Sequence, residues 1–194
     1  MERSIPPRAA ESTRERILEN ALALFTERGL DGTTLQQIAD RVGVTKAALY
    51  YYYRAKDDLV AAIIEPALED LNALVTSRSD DLDTPSQRRE ALERYLDFLL
   101  RFRRLMSWLS RDLAALANPA VASRGANYPE RIARMLGGPD LDFAASIRIS
   151  VVLGGIQTTI ATHPDADPTE LREALLATVS PLLGLRRRSA PSGS

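Results

Sequence analysis

Four consecutive tyrosines, Tyr50 to Tyr53, close a short segment that begins at Lys46, one of only two lysines in the chain. If this segment is a helix, Lys46 and Tyr50 share a face and so do Ala47 and Tyr51, because residues four apart are neighbours on a helix surface. An ammonium group and phenols can donate hydrogen bonds to phosphates and to base edges. A helix with one lysine, one small residue and phenols outward fits the major groove of duplex DNA. The pattern therefore predicts a DNA-reading helix.

The residues before Lys46 predict the elements that position this helix. Ser12 and Glu15 have the spacing of a capping box and open a helix whose apolar face continues to Phe25. A second box, Thr34 to Gln37, opens a short helix that runs through Arg41, and the turn Gly43–Thr45 leads into the third helix. Three short helices with a glycine in the last turn form a helix-turn-helix pattern. Its small core is predicted from apolar spacing to hold Ile38, Ala39, Val42, Val44, Leu49 and Tyr53.

The tyrosines divide between two interpretations, core packing and phosphate contact. Tyr53 has the same helical period as Leu49 and is expected in the core, whereas the hydroxyls of Tyr50 and Tyr52 are expected to donate to phosphates. Thr34 and Thr45 are expected to cap their helices. Capping is compatible with phosphate binding, because both use the exposed start of a helix.

The remaining chain also shows helical periodicity, so the predicted fold class is all-α. A long helix from about Lys56 is expected to kink at Pro66, and polar loops are expected at 76–84 and 118–128. Further helices are predicted at about 85–104, 106–117, 129–136, 140–162 and 168–183. The segment 140–162 is apolar almost all round, which predicts cover on more than one face.

Composition excludes several classes of function. The chain of 194 residues has no cysteine and a single histidine, His163, so neither a thiolate nor a multi-histidine metal site is expected, and no cofactor is predicted. No Gly-x-Ser-x-Gly or phosphate-binding glycine loop is present, which disfavours an enzyme. No apolar run is judged to approach the roughly 20 residues of a membrane span, and the N-terminus has no signal-peptide pattern, so a cytoplasmic protein without membrane contact is expected. Up to Lys56 there are nine basic and seven acidic residues, a net +2 in a chain of net charge −1.

The stretch from Thr33 to Leu59 resembles the DNA-binding signature of the TetR/AcrR family of transcriptional regulators. Gly43, Val44, Leu49, Tyr50 and Lys56 stand at the family spacing within these 27 positions. The resemblance implies a homodimer that binds a palindromic operator and is released by a small-molecule effector. By position it implies base contacts from Gln36, Lys46, Ala47 and Tyr51, and phosphate contacts from Thr34, Thr45, Tyr50, Tyr52 and Lys56.

Two positions depart from the family pattern. Tyr53 stands where phenylalanine is common, so its hydroxyl needs a partner, and Ala55 stands where a capping polar residue is common, so the next helix is expected to be held less firmly.

The resemblance also implies that the last two long helices form the dimer and that the C-terminal body holds an effector pocket. Gly154, Gly155 and Ala161 support the dimer independently, because small residues allow a second helix to approach; the alternative is a buried central helix in a monomer. The predicted interface is Val151, Gly154, Gly155, Thr158, Leu175, Val179 and Leu182. The predicted pocket is Phe98, Phe102, Arg104, Met106, Trp108 and Arg111, for which a plain core with solvated arginines is an equal alternative.

These inferences predict four regions: a disordered extension at 1–11, a DNA-binding domain at 12–55, an effector-binding and dimerisation domain at 56–184, and a disordered tail at 185–194. The leading interpretation is a ligand-responsive repressor. The alternatives are an enzyme, which the composition disfavours, and an architectural or non-specific DNA-binding protein without an effector or a helical interaction module.

Overall fold

Residues 7–76, 84–125, 127–138 and 141–185 are described by a computed structural model, and within these ranges the chain is helical with no strand. This confirms the all-α class. The helices are α1 (Pro7–Arg28), α2 (Leu35–Val42), α3 (Lys46–Tyr52), α4 (Lys56–Thr76), α5 (Pro85–Arg101), α6 (Arg103–Arg111), α7 (Leu113–Ala117), α8 (Pro119–Gly125), α9 (Tyr128–Gly137), α10 (Phe143–Thr162) and α11 (Pro168–Leu182).

The described residues fall into two compact units. The first holds α1 to α3, α4 as far as Leu68, and the segment Arg104–Gly125. The second holds the end of α4 from Glu69, α5, and the helices from α9 to α11. The domain boundaries predicted from the sequence differ in that they leave 104–125 in the C-terminal domain, and they stay a prediction.

Local sequence explains the helix-turn-helix of the first unit. The capping box at Thr34 is formed: its hydroxyl accepts the Gln37 N–H at 3.2 Å, and the Gln37 side chain accepts the Thr34 N–H at 2.9 Å. Gly43 then ends α2 with φ +78°, a left-handed conformation that costs glycine little. Ile38, Ala39, Val42, Leu49 and Tyr53 are buried, as the apolar spacing predicted, whereas Val44 is only half-buried.

The second unit is built around α5, which packs against α9, α10 and α11. Its buried face carries Leu92, Tyr95, Leu96 and Leu99 at helical spacing. From α10 it buries one stripe only, Ile149, Val152, Ile156 and Ile160. The expectation that α10 is covered on more than one face is therefore wrong for the single chain.

Three predicted boundaries differ from the structure. Helix α1 begins at Pro7, so residues 7–11 are helical rather than part of a disordered extension, and Ser12 lies inside the helix instead of capping it. Residues 119–125 form α8, where a loop was expected. The helix predicted at 106–117 is divided in two, because the Asp112 carboxylate caps a new helix at Leu113.

Helix α4 runs through Pro66 without ending there. Residues 1–6, 77–83 and 186–194 lie outside the described residues, and with them much of the predicted extension, loop and tail.

Among the described residues, α10 is long and apolar enough to span a membrane by length and composition. The sequence-based expectation required about 20 uncharged residues in a row, and Arg148 interrupts this 20-residue helix, so the two criteria differ here. Phe143, Ile147 and Val151 on its open side are 83%, 49% and 65% exposed.

Candidate DNA-binding site

Helix α3 is fixed by one buried side and leaves the opposite side open. Leu49 has no exposed surface and anchors the helix, and the Thr45 hydroxyl caps its start by accepting the Ala48 N–H at 3.1 Å. The four residues predicted to face outward, Lys46, Ala47, Tyr50 and Tyr51, are all exposed. The helix therefore presents a polar and aromatic face that no other described element covers.

The four tyrosines of this segment have different environments. Tyr51 is 82% exposed and Tyr50 43% exposed, so both hydroxyls can reach a ligand in solution. The Tyr52 hydroxyl oxygen is buried and has no hydrogen-bond partner among the described residues. Its ring packs edge-on against Tyr51 at 5.3 Å. In this arrangement the Tyr52 hydroxyl does not face solvent, as its predicted phosphate contact would require, and that contact stays a prediction.

Lys46 lies over the ring of Tyr50, with Nζ 5.7 Å from the ring centroid. A cation above an aromatic face is weakly attracted at an exposed site. The contact directs the ammonium group along the open face of α3. Lys46 and Tyr50 therefore form one recognition surface.

In α2, the predicted base contact Gln36 is exposed and already engaged. Its Nε2 donates to the Asp40 carboxylate at 2.7 Å, one turn further along the helix. This bond uses one amide hydrogen and leaves the other, together with the carbonyl oxygen, available. A free donor and acceptor side by side match the edge of adenine.

Lys56 is half-buried and has a structural contact. Its Nζ donates to the backbone carbonyl of Leu30 at 2.7 Å, which ties the start of α4 to the turn between α1 and α2. The start of α4 is held despite Ala55, because the Asp58 carboxylate accepts the N–H groups of Arg54 and Ala55 at 2.9 and 3.0 Å. The expected weakness at Ala55 is therefore offset from inside the helix.

Two arginines of α1 contact the ends of α2 and α3 and hold these two helices in place. Arg14 Nε donates to the Tyr53 hydroxyl at 3.1 Å, which provides the partner that this tyrosine needs in place of phenylalanine. Arg16 donates to the carbonyl of Val42 at 2.7 Å, at the end of α2. Sequence reasoning did not assign these roles, because the partners are 39 and 26 residues away.

Asp112 is a further residue of the first unit that sequence reasoning missed. Its carboxylate accepts the Leu30 N–H at 2.6 Å and the indole N–H of Trp108 at 2.9 Å, and it also caps α7. Burial raises the pKa of this carboxyl, but the four N–H donors outweigh burial and hold the pKa below its ordinary value. The segment Asp112–Leu113–Ala114 has the form of a helix start, a signal that could have revealed the cap but not the contact with Leu30.

The predicted effector residues are divided between the two units. Trp108 is buried and stacks on Phe25 with centroids 5.2 Å apart, and it lines a cleft of about 390 Å³ together with Arg111. Phe98 and Phe102 lie in the second unit, 5.2 Å apart, beside Tyr95. Arg104 and Met106 belong to the first unit. The pocket as a set stays a prediction.

The predicted dimer residues divide by exposure. Val151, Gly154, Gly155, Thr158 and Leu182 are exposed on the second unit. Leu175 and Val179 are instead buried in the chain's own core, with 6% and 5% exposure, because their face of α11 packs on α5 and α10. Phe143 and Ile147, which were not predicted, extend the exposed stripe of α10.

A long helix followed by two short ones, the last open to solvent and carrying a lysine and two exposed phenols, is the arrangement of a helix-turn-helix DNA-binding protein. Comparison with known proteins agrees. The family model described as bacterial regulatory proteins, tetR family, matches residues 17–63. The chain is therefore similar to the TetR family of transcriptional regulators, most specifically in its DNA-binding segment.

Individual relatives show how far the similarity extends. The chain is 26% identical over 185 residues to the HTH-type transcriptional repressor SCO4008 of Streptomyces coelicolor, which covers 87% of this chain and 93% of that one. It is 37% identical over 62 residues to IcaR, the negative regulator of the icaADBC biofilm operon of Staphylococcus aureus, covering about a third of each chain. A solved TetR/AcrR-family regulator from Aquifex aeolicus matches 88% of this chain at 25% identity, with a TM-score of 0.64.

Proposed function

We propose that this chain is a ligand-responsive transcriptional repressor that binds a palindromic operator as a homodimer. The observation that carries the proposal is the open face of α3, with Lys46, Ala47, Tyr50 and Tyr51 exposed opposite the buried Leu49. A helix of this kind reads base edges from the major groove. Its relatives are named a transcriptional repressor and a negative transcriptional regulator, which supports repression rather than activation.

Base and phosphate contacts have separate candidates. Lys46, Ala47, Tyr51 and Gln36 read base edges, since all four are exposed on α2 and α3. Thr34, Thr45 and Tyr50 contact phosphates, with the exposed starts of α2 and α3 providing further N–H donors. Lys56 and Tyr52 are left out of this set, because one holds the Leu30 carbonyl and the other has its hydroxyl buried.

The open side of α10 supports the homodimer. Phe143, Ile147 and Val151 form an apolar stripe that continues into Gly154 and Gly155. Neither glycine has a neighbouring atom within 4 Å of the position of an added Cβ, so a second helix has room to approach. A large exposed apolar patch marks an interaction surface. A second copy of the chain covers this stripe with its own α10, because a twofold interface uses the same surface on both partners.

Release by an effector is the part of the proposal that rests on the likeness to TetR-type regulators, for which ligand-responsive repression is typical. An effector acts only through its difference in affinity for the two states of the repressor. The chemical identity of the effector follows most directly from the genes beside the operator. Like other bacterial regulators of this kind, the chain is proposed to act in the cytoplasm on double-stranded DNA.

Selection of bound fragments from random and genomic DNA tests the proposal. We expect one enriched sequence with twofold symmetry, bound by a dimer. Lys46→Glu should abolish enrichment, because it places a negative charge against the duplex. Arg134→Glu, an equal charge reversal at an exposed position of α9, should leave it intact. Uniform enrichment without a motif would favour an architectural DNA-binding protein, and no binding to any duplex would contradict the proposed function.

A further inference from the structure

The segment Arg104–Gly125 packs in one compact unit with the helix-turn-helix, although more than 30 residues of sequence separate it from the part of α4 in that unit. The hydrogen bond that joins it to the turn before α2 is made by Asp112. One carboxylate oxygen accepts both the Leu30 N–H and the Trp108 indole N–H, and the other accepts the Ala114 and Ala115 N–H groups at the start of α7. A single side chain thus joins α6, α7 and the turn before α2.

Leu30 is held on both sides of its backbone by charged groups. Asp112 accepts its N–H at 2.6 Å, and Lys56 donates to its carbonyl at 2.7 Å. Leu30 is 5% exposed, so these backbone groups have little access to water. Hydrogen bonds to charged groups are stronger than neutral ones, and a buried group that loses its partner carries the full cost of its desolvation. The pair therefore fixes the turn that sets the direction of α2 relative to α1.

Three other contacts attach the same segment to α1 and α4. Trp108 stacks on Phe25 at the end of α1. Asn118, 5% exposed, donates to the Asp57 carboxylate at 2.8 Å, near the start of α4. Arg124 pairs with Glu65 at 2.6 Å, two turns further along α4. The segment is therefore attached at separate points from the tip of α1 to the middle of α4.

We propose that the DNA-binding unit of this protein is discontinuous, and that Asp112 is a positioning residue for DNA binding although it touches no DNA. Residues 7–68 supply the reading helices, and Arg104–Gly125 fixes the turn at Leu30 from which α2 and then α3 follow. The proposal rests on the proposed function, because its main consequence is a change in duplex affinity. It is distinguished from a general loss of stability by the Leu30 amide, whose hydrogen bond to Asp112 can be followed in protein that is equally helical.

The experiment uses the full-length protein with Asp112→Ala and Asp112→Asn. Duplex affinity is measured with the selected operator, at a temperature where circular dichroism shows wild type and variants equally helical. We expect Asp112→Ala to weaken binding by about tenfold or more, since it removes all four hydrogen bonds to this carboxylate and leaves the buried Leu30 N–H without its charged partner. Asp112→Asn keeps one acceptor oxygen and should lie between wild type and alanine. Dimer mass, measured by sedimentation, should not change.

Two readouts follow the turn itself without DNA. Hydrogen exchange at the Leu30 amide should be faster in Asp112→Ala, and the emission of Trp108, the only tryptophan, should shift because its indole N–H loses its acceptor. The matched control is Asp97→Asn, which breaks a carboxylate pairing with Arg172 in the second unit. It should leave duplex affinity, Leu30 exchange and Trp108 emission unchanged.

The outcomes separate the two proposals. A folded Asp112→Ala protein with wild-type duplex affinity would overturn the positioning role. Unchanged hydrogen exchange at Leu30 would show that Asp112 does not hold the Leu30 N–H. If the wild type binds no duplex, the proposed function fails, and Leu30 exchange alone then decides whether Asp112 holds the turn.

Discussion

Helices α3 and α10 both leave large side chains in solvent, but the two exposed faces differ in chemistry. The face of α3 carries a lysine and two phenols, Tyr50 and Tyr51, each with an apolar ring and a hydrogen-bonding end. The face of α10 carries Phe143, Ile147 and Val151 and then two glycines, with no hydrogen-bonding side chain among those five. The face of α3 suits a hydrated, charged partner, and the face of α10 suits an apolar protein surface that excludes water.

The contrast shows that exposure alone does not identify a partner. Exposed phenols and a lysine stay hydrated without a partner, whereas an apolar stripe gains roughly 25 cal/mol for each Å² that a partner covers. Glycines strengthen this contrast. Glycine lowers the helix propensity of α10, and no described residue packs closely against either glycine. The glycines are therefore best explained by a partner helix that approaches this side of α10.

Gly155→Arg should have the largest effect. An added side chain meets no atom of its own chain within 4 Å, and arginine is a better helix former than glycine, so the protomer should fold normally. The charged side chain would however block an apolar helix interface. We expect the apparent mass in sedimentation to fall from twice 21.4 kDa to 21.4 kDa, with loss of operator binding.

The matched control is Gly125→Arg, since Gly125 also ends no left-handed turn and has open space around an added Cβ. It should remain dimeric. A Gly155→Arg protein that is still a dimer would show that the apolar stripe of α10 is not the dimer interface. The face of α10 would then have no assigned partner to compare with the DNA of α3.

Lys46→Ala tests the other face. Each good contact to a base edge contributes about 1–3 kcal/mol of discrimination, so we expect the preference for operator over scrambled duplex to fall roughly tenfold. Arg28→Ala removes a positive charge from the same unit outside α2 and α3, and should weaken binding to both duplexes equally or not at all. If Lys46→Ala kept full discrimination, its ammonium group would contact phosphates rather than bases.

The α3 face could be predicted from the sequence because local signals determine it. The cap at Thr45, the glycine turn at Gly43 and the spacing of Leu49 and Tyr53 lie within eleven residues, and they orient the helix without reference to the rest of the chain. The exposed residues Lys46, Ala47, Tyr50 and Tyr51 follow from that orientation.

The exposed side of α10 and the hydrogen bond from Leu30 to Asp112 could not be predicted in the same way. Apolar residues all around a helix do not indicate which side the same chain covers, so Leu175 and Val179 were assigned to the interface although they lie in the core. Asp112 contacts Leu30 across 82 residues, and nothing in the local sequence of either residue indicates the other. Packing between distant segments decided both features.

Lys56→Ala should have a smaller effect of a distinct kind. Removing the hydrogen bond to the Leu30 carbonyl loosens the turn before α2, so we expect severalfold weaker binding to every duplex. The plot of log affinity against log salt concentration should keep its slope, because the phosphate contacts are unchanged in number. A slope that flattens by about one unit would return Lys56 to the phosphate contacts predicted from the family resemblance.

Tyr52→Phe should have the smallest effect and marks the edge of the α3 face. The hydroxyl removed is buried without a partner among the described residues, and the ring contact with Tyr51 is retained, so duplex affinity should stay within about twofold. The melting temperature should stay the same or rise, because an unpaired buried polar atom is lost. Tyr50→Phe, which removes an exposed hydroxyl from the same helix, should weaken binding to all duplexes severalfold. An equal loss from both variants would mean that the Tyr52 side chain rotates outward on DNA, and that the face of α3 is one residue wider than its free structure shows.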